Sequence, residues 1–361
     1  MAWDEGLEGK SYEIASCNER ILRVVAGPGT GKTYSLKYRL ARFLEEGVDP
    51  KGILLVTFTR IAAQDLADAI NELEIEGVTN IVKGTLHSFC NSVLRDNYVD
   101  QLTNRVPRIL LDFEKKFLLL DFSNKEFGDL KSRTEKLKAF EAAWARRQDE
   151  EPGWPNDPIE QQFSNALENW LVFHQAMLLG ELVPRTLRFL RNNPHNEILH
   201  RFTHIFIDEY QDLNKAEQRL LDLLGRNSII TVIGDEDQSI YETLKYAHPE
   251  GISEFHLSHK ETFDIPIEEC RRCPPIVVNI ANDFIRNNEN RSNRELLPRV
   301  ENPKGVVAIA QWETIEEEIS GVVDYSTKRI RKNSILPGEL LILAPRRQIG
   351  YLIRDGLRNN G

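Results

Sequence analysis

The chain has 361 residues, 41% hydrophobic and 28% charged, with a formal net charge of −10 at pH 7. This is the balance of a globular protein with room for two or three compact units, and its acidity argues against a nucleic-acid binder that relies on a broad basic face, though not against a narrow local groove. The polar, acidic start MAWDEGLEGK has no leader profile, no apolar run approaches the ~18 residues of a membrane span, and Cys17, Cys90, Cys270 and Cys273 are too scattered for a disulfide framework. A cytoplasmic protein without membrane contact is expected.

The first predicted element is a strand, RILRVVA. It runs into AGPGTGKT, Ala26, Gly27, Pro28, Gly29, Thr30, Gly31, Lys32 and Thr33, and then into YSLKYRLARFLEE, which carries Leu36, Leu40, Phe43 and Leu44 at helical spacing. Strand, glycine loop and helix in this order describe a phosphate-binding loop: glycines let backbone N–H groups turn inward, Lys32 reaches the β and γ phosphates, and the Thr33 hydroxyl serves Mg²⁺. Residues 95 to 200 lack strand alternation, and EKKFLLLDF, EKLKAFEAAWARR and NALENWLVFHQAMLLGELVPRTLRFLR read as helices interrupted by the turn-rich DEEPGWPNDP. In THIFIDEYQ the apolar Ile205, Phe206 and Ile207 read as a buried strand that ends on Asp208, a candidate Mg²⁺ ligand, and Glu209, a candidate general base. IITVIGDEDQSIY repeats the strand-then-polar-turn pattern and presents Gln238 to a γ-phosphate. CRRC, Cys270 to Cys273, has zinc-like spacing without a second pair, so no metal is expected there.

In order, AGPGTGKT, LLVTFTRIAAQDL, GTLHSFC, FIDEYQDLN, VIGDEDQSIY and EECRRCPPIVVNIAN resemble motifs I, Ia, Ib, II, III and IV of the UvrD/Rep-like superfamily 1 DNA helicases, which are ATP-driven 3′ to 5′ translocases. The resemblance implies an α/β fold: a P-loop RecA-like parallel-sheet motor domain (1–94 and 201–280), an inserted helical subdomain (95–200), and the start of a second α/β domain (281–361) whose first strand and helix would be ELLILAPRRQIGYLIRDGLRNNG. It implies ATP and Mg²⁺ at Lys32, Thr33, Asp208, Glu209 and Gln238, with Arg272 at the position of the motif IV arginine. It also implies single-stranded DNA at Phe58, Thr59, Arg60, Thr85, His87, Phe89 and Lys245. On the residues alone, His87 reads equally well as a structural hydrogen-bonder and Phe58 as core.

Some positions depart from the family pattern. No glutamine precedes Gln64 to read adenine, the aromatic–arginine pair of motif III stands as Leu244 and Lys245, and Arg271 replaces the tyrosine that stacks on adenine. Motifs V and VI are not found before Gly361. The isolated chain is therefore expected to bind ATP better than it hydrolyses it, with a second polypeptide as one source of the later motifs. A non-catalytic accessory protein is the competing reading, and a small-molecule kinase explains Lys32 and Asp208 but not QSIY.

Overall fold

The computed structural model describes residues 3–72, 77–96, 105, 108–288, 291, 294–332 and 335–360, without the side chains of Arg60, Thr243 and Leu244. They form two compact units, 1–304 and 305–361.

The first unit is built on six parallel strands: β1 (Ile21–Ala26), β2 (Ile53–Val56), β3 (Val82–Gly84), β4 (His204–Ile207), β5 (Ile229–Gly234) and β6 (Thr262–Ile267), in spatial order β3-β2-β4-β5-β1-β6. Strands such as ILLV and HIFI are buried at every position, because a parallel sheet is covered on both faces. Their alternate residues divide between two cores. Leu54, Val56, Ile205, Ile207, Ile230 and Val232 face one layer, while Ile53, Leu55, Phe206 and Ile233 face the other with Leu22 and Val24. The strands legible in the sequence are the central ones. β3 is too short to signal itself, and β6 carries Pro266 and two outward polar residues, features a sheet tolerates at its edge.

Helices α1 (Gly9–Ser16), α2 (Lys32–Glu45), α3 (Arg60–Asn71) and α4 (Leu86–Asp96) precede the inserted helices α5 (Asp112–Asp121), α6 (Leu130–Ala145), α7 (Pro158–Phe173) and α8 (Leu182–Asn192). The insertion has its own aromatic core, with Phe122, Phe127 and Phe140 each within 5.5 Å of Phe163 between ring centroids. Buried Arg105 ties it together through Glu181 and Glu168 at 2.9 Å each. Helix α8 turns its apolar side to the sheet, with Leu182, Val183, Leu187 and Leu190 in the same core as β4. Helices α9 (Lys215–Leu224) and α10 (Pro275–Ile285) also belong to this unit, with several one-turn helices and a two-stranded sheet of Glu269–Cys270 and Leu297–Pro298.

The second unit contains α11 (Ile315–Arg331) and α12 (Arg347–Asn359). The expected helix is present, but the expected strand ELLILA is not formed. Residues 340–344 carry no ladder, and Leu341 and Leu343 are 79% and 83% exposed. An apolar run becomes a strand only where a neighbour takes its N–H and C=O groups, and among the described residues of this unit none does.

One buried group makes the sheet acid-sensitive. His204 on β4 lies 4.3 Å from the Phe43 ring, and burial, with Arg39 and Arg42 nearby, lowers its pKa to about 4. The unfolded imidazole titrates near 6.5, so between these values the unfolded chain holds more protons and stability falls as pH drops. The contribution of His204 is read as a difference: from pH 7 to pH 4.5 the urea midpoint of the native chain should fall relative to that of His204→Gln, and parallel profiles would exclude His204 as a source of acid sensitivity.

Candidate nucleotide site and groove

The loop after β1 folds as its glycines require. Gly29 and Gly31 have φ of +71° and +96°, a region costly to any residue with a Cβ, and Thr30 Oγ1 closes the turn by donating to the Gly27 carbonyl at 2.8 Å. Gly31 is the N-cap of α2 and no side chain caps that end, so the first N–H groups of the helix remain directed at the loop. A Cβ on Gly29 would come within 2.8 Å of Arg272 Cβ and 2.9 Å of Cys270 Sγ, while the Arg271 N–H donates to the Gly29 carbonyl at 2.9 Å. The Arg271–Arg272 backbone is thus seated on the loop. The Arg271 side chain pairs with Glu269 at 3.6 Å.

The acidic turn after β4 meets the loop from the next strand but one. Lys32 Nζ, almost wholly buried, donates to Glu209 Oε2 at 2.9 Å. Glu209 has φ +53° and ψ +50°, a left-handed conformation that costs a non-glycine residue ~1–3 kcal/mol and directs its carboxylate at the loop. Asp208 is buried beside it. Its Oδ1 accepts from the Glu209 N–H at 3.0 Å, and burial, with the Glu209 charge, raises its pKa to about 6. A buried carboxylate under this strain is relieved by a cation, and as an oxygen donor it suits a hard ion such as Mg²⁺. The residues present therefore fit the metal expected from the sequence.

Gln211, which the sequence reading missed, connects the two acidic turns. Its Nε2 donates to Glu209 Oε2 at 2.9 Å and its Oε1 accepts from the Asp235 N–H at 2.9 Å; a Cβ on Gly234 would come within 2.6 Å of that oxygen. Gln238 then donates to Asp235 Oδ2 at 2.7 Å. Lys32, Asp208, Glu209 and Gln238, spread over the sequence, thus share one hydrogen-bonded array at the carboxyl end of the sheet, where a crossover sheet places its ligands.

A groove of about 570 Å³ opens beside this array, between the strand ends and the inserted helices. Phe58, Thr59, Thr85, His87 and Lys245 line one wall, and Lys115, Glu141 and Gly180 lie on the other. Lys245 Nζ sits 3.9 Å from the centroid of the Phe58 ring, and Tyr241 packs on Phe58 at 4.8 Å. His87 contacts the buried Glu217 at 3.3 Å, and Glu217 in turn caps α9 by accepting from the Asn214 N–H. Tyr246, another residue missed in sequence, also lines the groove; φ of +59° turns the chain there, and its hydroxyl donates to the Lys138 carbonyl of α6 at 3.1 Å. Phe89 does not join this wall. It packs edge-on against Phe202 at 5.8 Å, because it lies on the face of α4 turned to the sheet core. The Arg60 side chain lies outside the described residues.

A parallel sheet with a glycine loop after its first strand and acidic turns after β4 and β5 defines a P-loop, RecA-like α/β domain. The model of the UvrD/REP helicase N-terminal domain matches residues 7–260, and the chain belongs to that family. It is 29% identical over 298 residues to the ATP-dependent DNA helicase PcrA of Staphylococcus aureus, covering 79% of this chain and 40% of the relative. It is also 28% identical over 310 residues to the probable DNA helicase II homolog of Mycoplasma capricolum, covering 80% and 42%. The chain thus spans about two fifths of the length of these relatives. No helix among the described residues is long and apolar enough to cross a membrane.

Proposed function

We propose that this chain is the ATP-binding, single-stranded-DNA-gripping part of a UvrD/Rep-type helicase that moves 3′ to 5′. Lys32 and the loop N–H groups hold the phosphates of ATP, Asp208 and Thr33 hold Mg²⁺, Glu209 takes the proton of the attacking water, and Gln238 and Arg272 face the γ-phosphate. Phe58 and Tyr246 stack bases, while Thr59, Thr85, His87 and Lys245 serve phosphates and sugars, a mode that grips any sequence. Bound Mg²⁺ supplies charge to the phosphates; the rest of the site orients and desolvates.

The observation that carries this reading is that both sites are built on the same turns. Residues 235–246 pass from Asp235 and Gln238 at the nucleotide site to Lys245 and Tyr246 in the groove, and residues 208–214 pass from Asp208 to Asn214 in the same way. A change in the γ-phosphate contacts therefore reaches the DNA wall through a few covalently continuous residues. Rapid turnover also calls for an arginine of the kind worth about 10³–10⁵ in rate. We assign it to a second motor domain, in the same polypeptide or in a second one.

Lys245→Ala tests the groove. Affinity for single-stranded oligonucleotides should fall about threefold to tenfold irrespective of sequence, and the slope of log K against log salt should shrink by roughly 0.7. A loss confined to particular base sequences would contradict a phosphate role. Binding of ATP and DNA without DNA-stimulated turnover, even when a second motor domain is supplied, would favour an accessory subunit over a motor.

A further inference from the structure

The acidic turn after β5 is clasped by two arginines that no helicase motif in the sequence contains. Asp235 is buried and divides its oxygens. Oδ2 accepts from Gln238 Nε2 at 2.7 Å, while Oδ1 accepts from Arg294 Nη2 at 3.0 Å and from the Asp237 N–H at 3.2 Å. Arg294 Nη2 also donates to Glu236 at 2.8 Å. Arg291 grips Asp237 through Nε at 3.0 Å and Nη2 at 2.7 Å, and that Nη2 also donates to the Arg294 carbonyl at 2.7 Å.

The segment that carries Arg294 is itself anchored to the nucleotide site. The Asn282 side chain on α10 bonds both backbone groups of Leu296, at 2.8 and 3.1 Å, and the Leu297 N–H donates to the Glu268 carbonyl at 2.8 Å. Leu296 packs over the phosphate loop so closely that a Cβ on Gly27 would lie 2.6 Å from its Cδ1. The clasp, the turn and the loop therefore form one assembly.

A glutamine has three free torsions and an amide that can face either way. Donation from Nε2 to a carboxylate fixes that choice: one N–H is spent on Asp235, and the other N–H and Oε1 are left for a phosphate oxygen and a water. The carboxylate can do this only if it is itself held. We infer that Arg294 is a positioning residue: by holding Asp235 it orients the Gln238 amide toward the γ-phosphate, with Arg291 bracing the same turn. This rests on the nucleotide site proposed above.

The test is calorimetric titration of the full chain with Mg²⁺ and either ADP or adenylyl imidodiphosphate, which keeps the third phosphate. Arg294→Ala should lower affinity for the triphosphate analogue about tenfold, the scale of one hydrogen bond to a charged group, and leave ADP affinity unchanged. Added to Gln238→Ala it should cause no further loss, because both changes remove the same contact, and Arg294→Lys should recover part of it. Equal losses for both nucleotides, or losses additive with Gln238→Ala, would show a merely structural arginine and overturn the inference. Should Arg294→Ala not fold, Asp235→Asn interrupts the same link at constant size, and the same two outcomes decide. A wild-type chain that binds neither nucleotide would overturn the nucleotide site itself; one that binds both, with no selective loss in the variants, would overturn the positioning role alone.

Discussion

Replacing Lys32 by alanine is expected to weaken Mg²⁺·ATP binding at least about a hundredfold. A buried ammonium that bonds two phosphates contributes two charge-assisted hydrogen bonds, each worth ~1.5–3 kcal/mol, and the smaller sum already corresponds to that factor. The geometry adds a second penalty. Lys32 is the partner of Glu209 at 2.9 Å, and Asp208 lies behind it with its pKa already raised to about 6. Without Lys32 both carboxylates face the incoming triphosphate uncompensated. The double variant Lys32→Ala/Glu209→Gln should consequently bind ATP better than Lys32→Ala alone. Titration calorimetry decides the matter: affinity of Lys32→Ala within about threefold of wild type would remove the lysine from the phosphate site.

Glu209→Gln should act on rate and spare binding. Loss of a general base costs typically 10²–10⁴ in turnover, whereas the amide keeps the size of the side chain and its acceptor for Lys32. The position is built for direction: a left-handed backbone aims the carboxylate, and Gln211 and Lys32 both donate to Oε2. A bound phosphate that draws Lys32 away would leave Glu209 free to accept a proton from water. DNA-stimulated phosphate release by Glu209→Gln at the wild-type rate would mean that another group is the base.

Much of this site was legible because its chemistry needs residue types at fixed local spacing. The glycines before Lys32 and Thr33, and an acid pair ending an apolar strand, are such patterns; that Lys32 meets Glu209 at 2.9 Å is not in them. Gln211 and Tyr246 were not legible. A glutamine in a polar turn and a tyrosine after a lysine carry no signal until Gly234 leaves room for one and a positive φ turns the other into the groove. Phe89 shows the converse. As a ring in a DNA-contact motif it reads like Phe58, yet two positions on from His87 along a helix it points to the sheet core and meets Phe202. The strand expected at residues 340–344 failed for a related reason, since its apolar pattern says nothing about whether a neighbour is there to pair with it.

By itself, then, the sequence determined the α/β class, the central strands, the helical insertion and the candidate phosphate and acid residues, because local periodicity and short motifs encode backbone conformation and chemistry within a few residues. Only the tertiary structure decided which distant side chains meet: Lys32 with Glu209 across 177 positions, Arg294 with Asp235 across 59, and Lys245 over Phe58 at the groove. Those pairings depend on the strand order β3-β2-β4-β5-β1-β6, which is set by how two buried faces pack and not by any single segment.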